Sequence, residues 1–249
     1  MADPVLLEVA DYVATLTLNQ PEKRNAMRPE LLEDFAAKVA ELKERDDARV
    51  VVVQGSGKIF CSGADFRAMT GMARDAGGME EAVRRIYGSF LCLRDLPQPT
   101  IAKVNGHAIG GGLGLALACD LRVVSTAAKL GVNFTRLGFT PGMATTYVLP
   151  RLVGMQKAAE LFFTGRIFSG EEAEKLGIAN YAVAPEELDA KTDALAREIA
   201  GSAPLAVALT KQALYRACDF DADAALAFEA QCQAKTMKTK DAQEGILAM

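Results

Sequence analysis

Histidine is nearly absent from this sequence: His107 is the only one in 249 residues. A metal centre built on several imidazoles is therefore excluded. Cysteine is sparse as well. The five cysteines, at 61, 92, 119, 218 and 232, are scattered, odd in number and without C-x-x-C spacing. That pattern fits neither a disulfide framework nor a zinc ribbon. No apolar run reaches the roughly 18 residues of a membrane span. Positive charge is not in excess: 28 Lys and Arg stand against 32 Asp and Glu, a net charge of −4. Such a balance offers no broad footprint for nucleic acid. The opening stretch MADPVLLEVADYVATL carries acids and no basic leader, so it does not read as a secretory signal. The expected setting is cytoplasmic, with neither membrane nor nucleic acid as partner.

Half the residues are hydrophobic and about a quarter charged, which suffices for a large core. Tyr12, Ala14, Leu16 and Leu18 alternate, which predicts a strand. Leu31, Leu32, Phe35, Val39 and Leu42 recur at helical spacing after Pro29, a residue suited to a first helical position. Val50 to Val53 is a continuous apolar run, as in a strand covered on both faces. Ile101–Val104, Leu121–Val124 and Ile178–Val183 read as further strands, with a helix from about Gly111 to Cys119. Strands alternating with helices predict crossover units and parallel pairing. Ser169-Gly-Glu-Glu172 is a capping box, and Gly177 a matching stop. After Pro185 the pattern turns helical: 186–201, 204–217, 222–235 and 241–249. The fold class expected is an α/β core over residues 1–200 with a helical region over 201–249. The stretch from Thr70 to Glu80, rich in Gly, Ala and Met, reads as mobile.

Three adjacent glycines in HAIGGGLGLALACD (107–120) demand a reason. The dinucleotide pattern G-x-G-x-x-G fails in every frame, because Leu115 or Leu117 falls where the third glycine belongs. Gly55-Ser-Gly-Lys58 resembles a phosphate loop, but Ile59 follows the lysine and Val52 stands at the first glycine position. His107 has no recognisable nucleophile or orienting acid, and reads as a loop or core histidine bonded to backbone. Two segments share one form, a strand, then a turn, then small residues. One is Val50–Val53 leading to Phe60-Cys-Ser-Gly-Ala-Asp65. The other is Ile101–Val104 leading to Gly110-Gly-Gly112. Each places free backbone N–H groups at a helix start. Two such groups at one point make an oxyanion hole. Close helix–strand packing is the other reading of the glycines.

The motifs F-C-S-G-A-D (60–65), N-G-H-A-I-G-G-G (105–112), C-D (119–120), L-G-F-T-P-G (137–142), R-L-V-G (151–154) and T-G-R-I-F-S-G-E-E-A (164–173) resemble those of the crotonase superfamily, the enoyl-CoA hydratase/isomerase family. The resemblance runs in register along nearly the whole chain. It implies a spiral of ββα units with a C-terminal helical region used in trimerisation, and a homotrimer or homohexamer. It implies a coenzyme A thioester as substrate, with coenzyme A part of the substrate and no separate cofactor or metal, in a context such as fatty acid metabolism. By motif position, the amides of Ala64 and Gly111 would hold the enolate oxygen. Lys23, Arg24 and Ala26, with Ser62, Asp65 and Phe66, would line the CoA site, and Gly110, Gly114, Phe134 and Gly142 the acyl side. Relatives usually continue past the point where this sequence reads Leu247-Ala-Met249, with a basic segment that helps hold CoA. Either CoA affinity is weaker than usual, or the sequence is shortened at its C-terminus.

The resemblance also marks what is missing. Hydratases of the family carry two glutamates, at the positions of Gly114 and Phe134 here. Some isomerases and dehalogenases place an acid at the position of Gly142 instead. Adding water needs groups to move protons, and such groups are worth about 10²–10⁴ in rate. Efficient crotonyl-CoA hydration is therefore not expected, and restoring both glutamates is expected to raise it. Phe134 is expected to make the acyl pocket apolar, with Leu113, Met143 and the stretch Met69–Met79, favouring bulky or hydrophobic acyl groups. Three readings stay open. An acid from elsewhere, with Asp65, Asp75 and Asp120 nearest in sequence, could serve an ordinary hydratase or isomerase. A decarboxylation of a malonyl-type thioester would need only the oxyanion hole. The decarboxylating branch of polyketide β-branching uses a tyrosine and a lysine where Ala68 and Met72 stand here. A non-catalytic acyl-CoA-binding protein is the third. A related RNA-binding member finds little support in the acidic balance.

Overall fold

Two β-sheets carry the fold. The computed structural model describes residues 3–65, 67, 68, 71, 74 and 76–249. The larger sheet has six strands in the order β1 (Val5–Ala10), β2 (Val13–Leu18), β3 (Val50–Gly55), β5 (Thr100–Val104), β7 (Leu121–Ser125), β10 (Tyr181–Val183). The smaller runs β4 (Ile59–Cys61), β6 (His107–Ile109), β8 (Lys129–Gly131), β9 (Ile167–Ser169). Pairing is parallel except at two edges, β1 with β2 and β8 with β9. Parallel neighbours need crossovers. Helices α1 (Pro29–Lys43), α2 (Met79–Leu91) and α3 (Gly111–Ala118) lie in the connections β2–β3, β4–β5 and β6–β7. The β1–β2 hairpin turns at Asp11 and Tyr12, both at positive φ. Tyr12 therefore stands outside the strand, and Ala14, Leu16 and Leu18 carry its buried face.

The valine run of β3 shows why these strands are continuous rather than alternating. Val51 and Val53 join the main core, whereas Val50 and Val52 join a second cluster with Leu188, Ala196 and Ala200. That second cluster is the underside of α7 (Leu188–Ala200) on the large sheet. Every residue of α3 is buried, so it is apolar all round and sits inside the molecule. Pro29 opens α1 as expected, and its five apolar positions all reach the core.

Two more helices, α4 (Thr145–Val153) and α5 (Met155–Thr164), precede α6 (Gly170–Lys175). Half of the capping box at α6 is formed: Ser169 Oγ accepts from Glu172 N at 3.2 Å, while the Glu172 carboxylate pairs with Arg166, and Gly177 follows at φ +77°. The tail continues as α8 (Pro204–Ala217), α9 (Ala222–Thr236) and α10 (Lys240–Ala248). Of the stretch expected to be mobile, Thr70, Met72, Ala73 and Asp75 lie outside the described residues, and its end, Met79, opens α2.

Candidate functional site

Strands β4 and β6 run parallel, with Ile59 opposite His107 and Cys61 paired to Ala108. Their C-terminal ends therefore emerge at the same edge. This sets Ser62-Gly63-Ala64 beside Gly110-Gly111. Gly63 adopts φ +87°, and a Cβ there would stand 2.6 Å from Ile109 O and 3.3 Å from Gly111 N. Gly110 adopts φ +55°, a backbone state that favours glycine. A side chain on Gly112 would run into the Cys61 carbonyl. Gly112 thus permits close packing, and Gly110 turns the chain into α3. Gly111 N is the first amide of α3, which has no intrahelical acceptor. Neither this amide nor that of Ala64 donates to an acceptor among the described residues. Two amide donors therefore stand side by side at the mouth of a helix whose N-terminal dipole favours negative charge.

The segment around Lys23 and the segment around Ser62 are brought together by main-chain bonds. Ser62 N donates to Arg24 O at 3.1 Å, and Met27 N donates to Gly63 O at 2.9 Å. Asn25 locks the first segment from beneath. It is buried at positive φ, its Oδ1 accepts from Gln20 N, and its Nδ2 donates to Ser56 O and Ile59 O. Lys23, Arg24 and Ala26 are left at the surface or partly exposed. Lys23 pairs with Glu30 at 3.2 Å, and Arg28 bridges Glu30 and Asp65 at 2.9 and 2.7 Å. Burial opposes ionisation of Glu30, but its own amide, Arg28 and Lys23 pull its carboxyl down to about 2. Asp65 spends its other oxygen on the amides of Arg67 and Ala68. Its carboxylate is thus fully engaged in shaping the loop. Phe66 lies outside the described residues.

The acyl side is shaped by side chains standing where the resemblance places acids. A Cβ on Gly114 would collide with Met143, which is buried. A Cβ on Gly142 would collide with the ring edge and hydroxyl of Tyr87. Phe134 is half-buried, and its Cζ lies 3.9 Å from the point a Cβ on Gly110 would take. The ring tip thus reaches the glycine that turns into α3. A side chain at 114 would thus meet Met143, which already fills the room there. Leu113 is buried; of the methionine stretch, Met69 and Met72 lie outside the described residues.

Other titratable groups are placed elsewhere. His107 Nδ1 accepts from Lys129 N, a bond to backbone. Burial pushes the thiols of Cys61 and Cys119 up to about 12, so neither is a thiolate at neutral pH. Asp120 accepts from Thr100 N and Oγ1, pairs with buried Lys211 at 2.8 Å, and accepts from Tyr215 OH. It ties α8 to the sheet at the far end of α3 from Gly111. Asp75 lies outside the described residues. Sequence reasoning passed over Asn25, Met27, Arg28 and Tyr87. Only Asn25 carried a local signal, since asparagine tolerates left-handed backbone; the others are set by tertiary contact.

The fold is an α/β one in which two parallel strands end beside adjacent amide donors. The sequence pattern of the Enoyl-CoA hydratase/isomerase family matches residues 8–249. The chain belongs to this family, within the crotonase superfamily. It is 36% identical over 247 residues to the short-chain-enoyl-CoA hydratase of Clostridium acetobutylicum, covering 98% of this chain and 93% of that protein. It is 40% identical over 241 residues to the human mitochondrial enoyl-CoA hydratase domain-containing protein 2, covering 95% and 82%. The crystal structure of an enoyl-CoA hydratase from Bacillus anthracis superposes with a TM-score of 0.93 at 36% identity, covering 98% and 95%.

Proposed function

We propose that this protein is a coenzyme A thioester enzyme that stabilises a thioester enolate between the amides of Ala64 and Gly111 and works without the glutamate pair of hydratases. The observation that carries this reading is the pair of unclaimed amides set side by side by Gly63 and Gly110. A thioester oxygen accepting both N–H groups gains charge as the enolate forms. Each such donor is worth roughly 3 kcal/mol in the step that forms it. Lys23, Arg24, Ala26 and Ser62 border the CoA moiety, with Asp65 holding their loop in place. Phe134 and Met143 make the acyl side apolar and supply no proton transfer.

A reaction whose bond breaking itself delivers electrons to the enolate suits such a site. In decarboxylation of a malonyl-type thioester, the C–C bond to the carboxylate breaks and CO₂ leaves. The electron pair passes into the enolate, and the α-carbon then takes a proton from water. The filling of positions 114 and 142 by Met143 and Tyr87 favours this over hydration. A homotrimer or homohexamer fits the apolar residues exposed on the C-terminal helices, and a cytoplasmic location fits five unpaired cysteines.

A panel of CoA thioesters incubated with the protein and read by mass spectrometry tests the reaction. Loss of 44 mass units from a malonyl-type thioester, with no gain of 18 from crotonyl-CoA, is the expected result. Rapid gain of 18 would overturn it, and no change in any thioester would leave a binding protein.

A further inference from the structure

One polar side chain on the acyl side is unused by the proposed chemistry. Tyr87 lies on α2, half-buried against the main core. Its hydroxyl and ring edge cover Gly142, so that any side chain at 142 would displace them. Gly142 adjoins Met143, Met143 covers Gly114, and Gly114 is one helical turn along α3 from Gly111. A contiguous path thus leads from the amide donors to the phenol, past Met143. Gly142 and Tyr87 form a pair, because the missing Cβ of one makes the room the other occupies.

The Tyr87 hydroxyl has no hydrogen-bond partner among the described residues. Burial raises the phenol's pKa, so at neutral pH it is a donor and not a base. Met143, next in the chain to the glycine that the phenol covers, is apolar, and the polar side chain of Asn133 stands at the other end of the path, by Gly110. Convergent polar groups among apolar side chains are how ligand pockets fix orientation. The hydroxyl is not among the buried unpartnered polar atoms, so it is open to solvent and free to donate to a ligand that displaces that solvent.

We propose that Tyr87 is a specificity-determining residue that donates a hydrogen bond to an oxygen acceptor on the acyl group. The preferred thioesters then carry a carboxylate or carbonyl beyond the thioester, on an otherwise apolar acyl chain. This rests on the thioester reading of the site and adds to it the class of acyl group.

The test uses three probes with four-carbon acyl groups, butyryl-CoA, acetoacetyl-CoA and succinyl-CoA, titrated calorimetrically into wild type and Tyr87→Phe. The wild type is expected to bind the oxygen-bearing thioesters roughly tenfold tighter than butyryl-CoA. Tyr87→Phe, which keeps the ring, is expected to erase that difference and leave butyryl-CoA affinity unchanged. Gly142→Ala, which pushes the hydroxyl aside, should act in the same direction. Binding of all three with equal affinity, or a preference that survives in Tyr87→Phe, overturns the assignment of Tyr87 alone. Failure of all three to bind the wild type overturns the thioester reading, and the assignment with it.

Discussion

Gly114 carries no side chain, and Met143 occupies the room one would take. A glutamate pair placed at 114 and 134 would therefore overpack the site, at a cost of about 1–3 kcal/mol. Hydration of crotonyl-CoA is expected to rise little in Gly114→Glu, Phe134→Glu. It should rise by at least roughly tenfold when Met143→Gly is added, since each positioned proton-transfer group is worth about 10²–10⁴. Stopped-time assays of the two variants against wild type make the comparison. A wild-type turnover above roughly 10² per second would show that another residue already moves the protons. At this scale the sequence was only half legible. The glycines at 110–112 stand in the sequence itself, and the missing carboxylates at 114, 134 and 142 were marked by the family resemblance. Tyr87 and Met27 could not, because they come to the site from elements distant in sequence. Their contacts exist only after packing.

The loop at the start of α1 and the joint between α8 and the sheet are held by charge, and each responds differently. Glu30 has a carboxyl pulled from 4.5 to about 2 in the folded protein. A depressed carboxyl stabilises above its unfolded value and ceases to do so as pH falls through its folded value. The stability difference between wild type and Glu30→Gln should thus be full at neutral pH and vanish as pH drops from 4.5 toward 2. Thermal melts across that range check it, and a difference that persists at the acid end contradicts the pairing. Asp120 is the opposite case, since its partner Lys211 is buried. Asp120→Ala leaves that ammonium uncompensated, and a loss of about 3–5 kcal/mol in urea unfolding is expected. Turnover per folded molecule should not change in that variant, which separates a joint from a proton-transfer residue. Strand and helix identities in the alternating region, and most of the tail helices, were legible from periodicity and caps. Helices α2, α4 and α5 were not, because Gly88 inside α2, the Gly154 break and Pro150 inside α4 interrupt the pattern and packing overrides them.

As a whole molecule, the chain leaves apolar side chains exposed along its C-terminal helices, with Leu214 and Ile246 each 68% exposed and Leu247 85%. Scattered apolar residues are ordinary on a surface, and a run of them along successive helices fits the proposed assembly. A trimer or hexamer is expected by light scattering at micromolar concentration, and a monomer would contradict the assembly. The family and its spiral were legible from motif register over nearly the whole chain, whereas the acyl specificity was not, since it depends on which side chains fill the space of absent ones. The central claim is that the amides of Ala64 and Gly111 hold an enolate oxygen with no carboxylate involved. Its most direct measurement is the enolisation of acetoacetyl-CoA bound to the protein, followed by ultraviolet absorbance against pH. Binding is expected to lower the apparent pKa of enolisation, and Ala64→Pro, which lacks the N–H, should return about two units of that shift. An unshifted pKa in the wild type, or the same shift in Ala64→Pro, would contradict it.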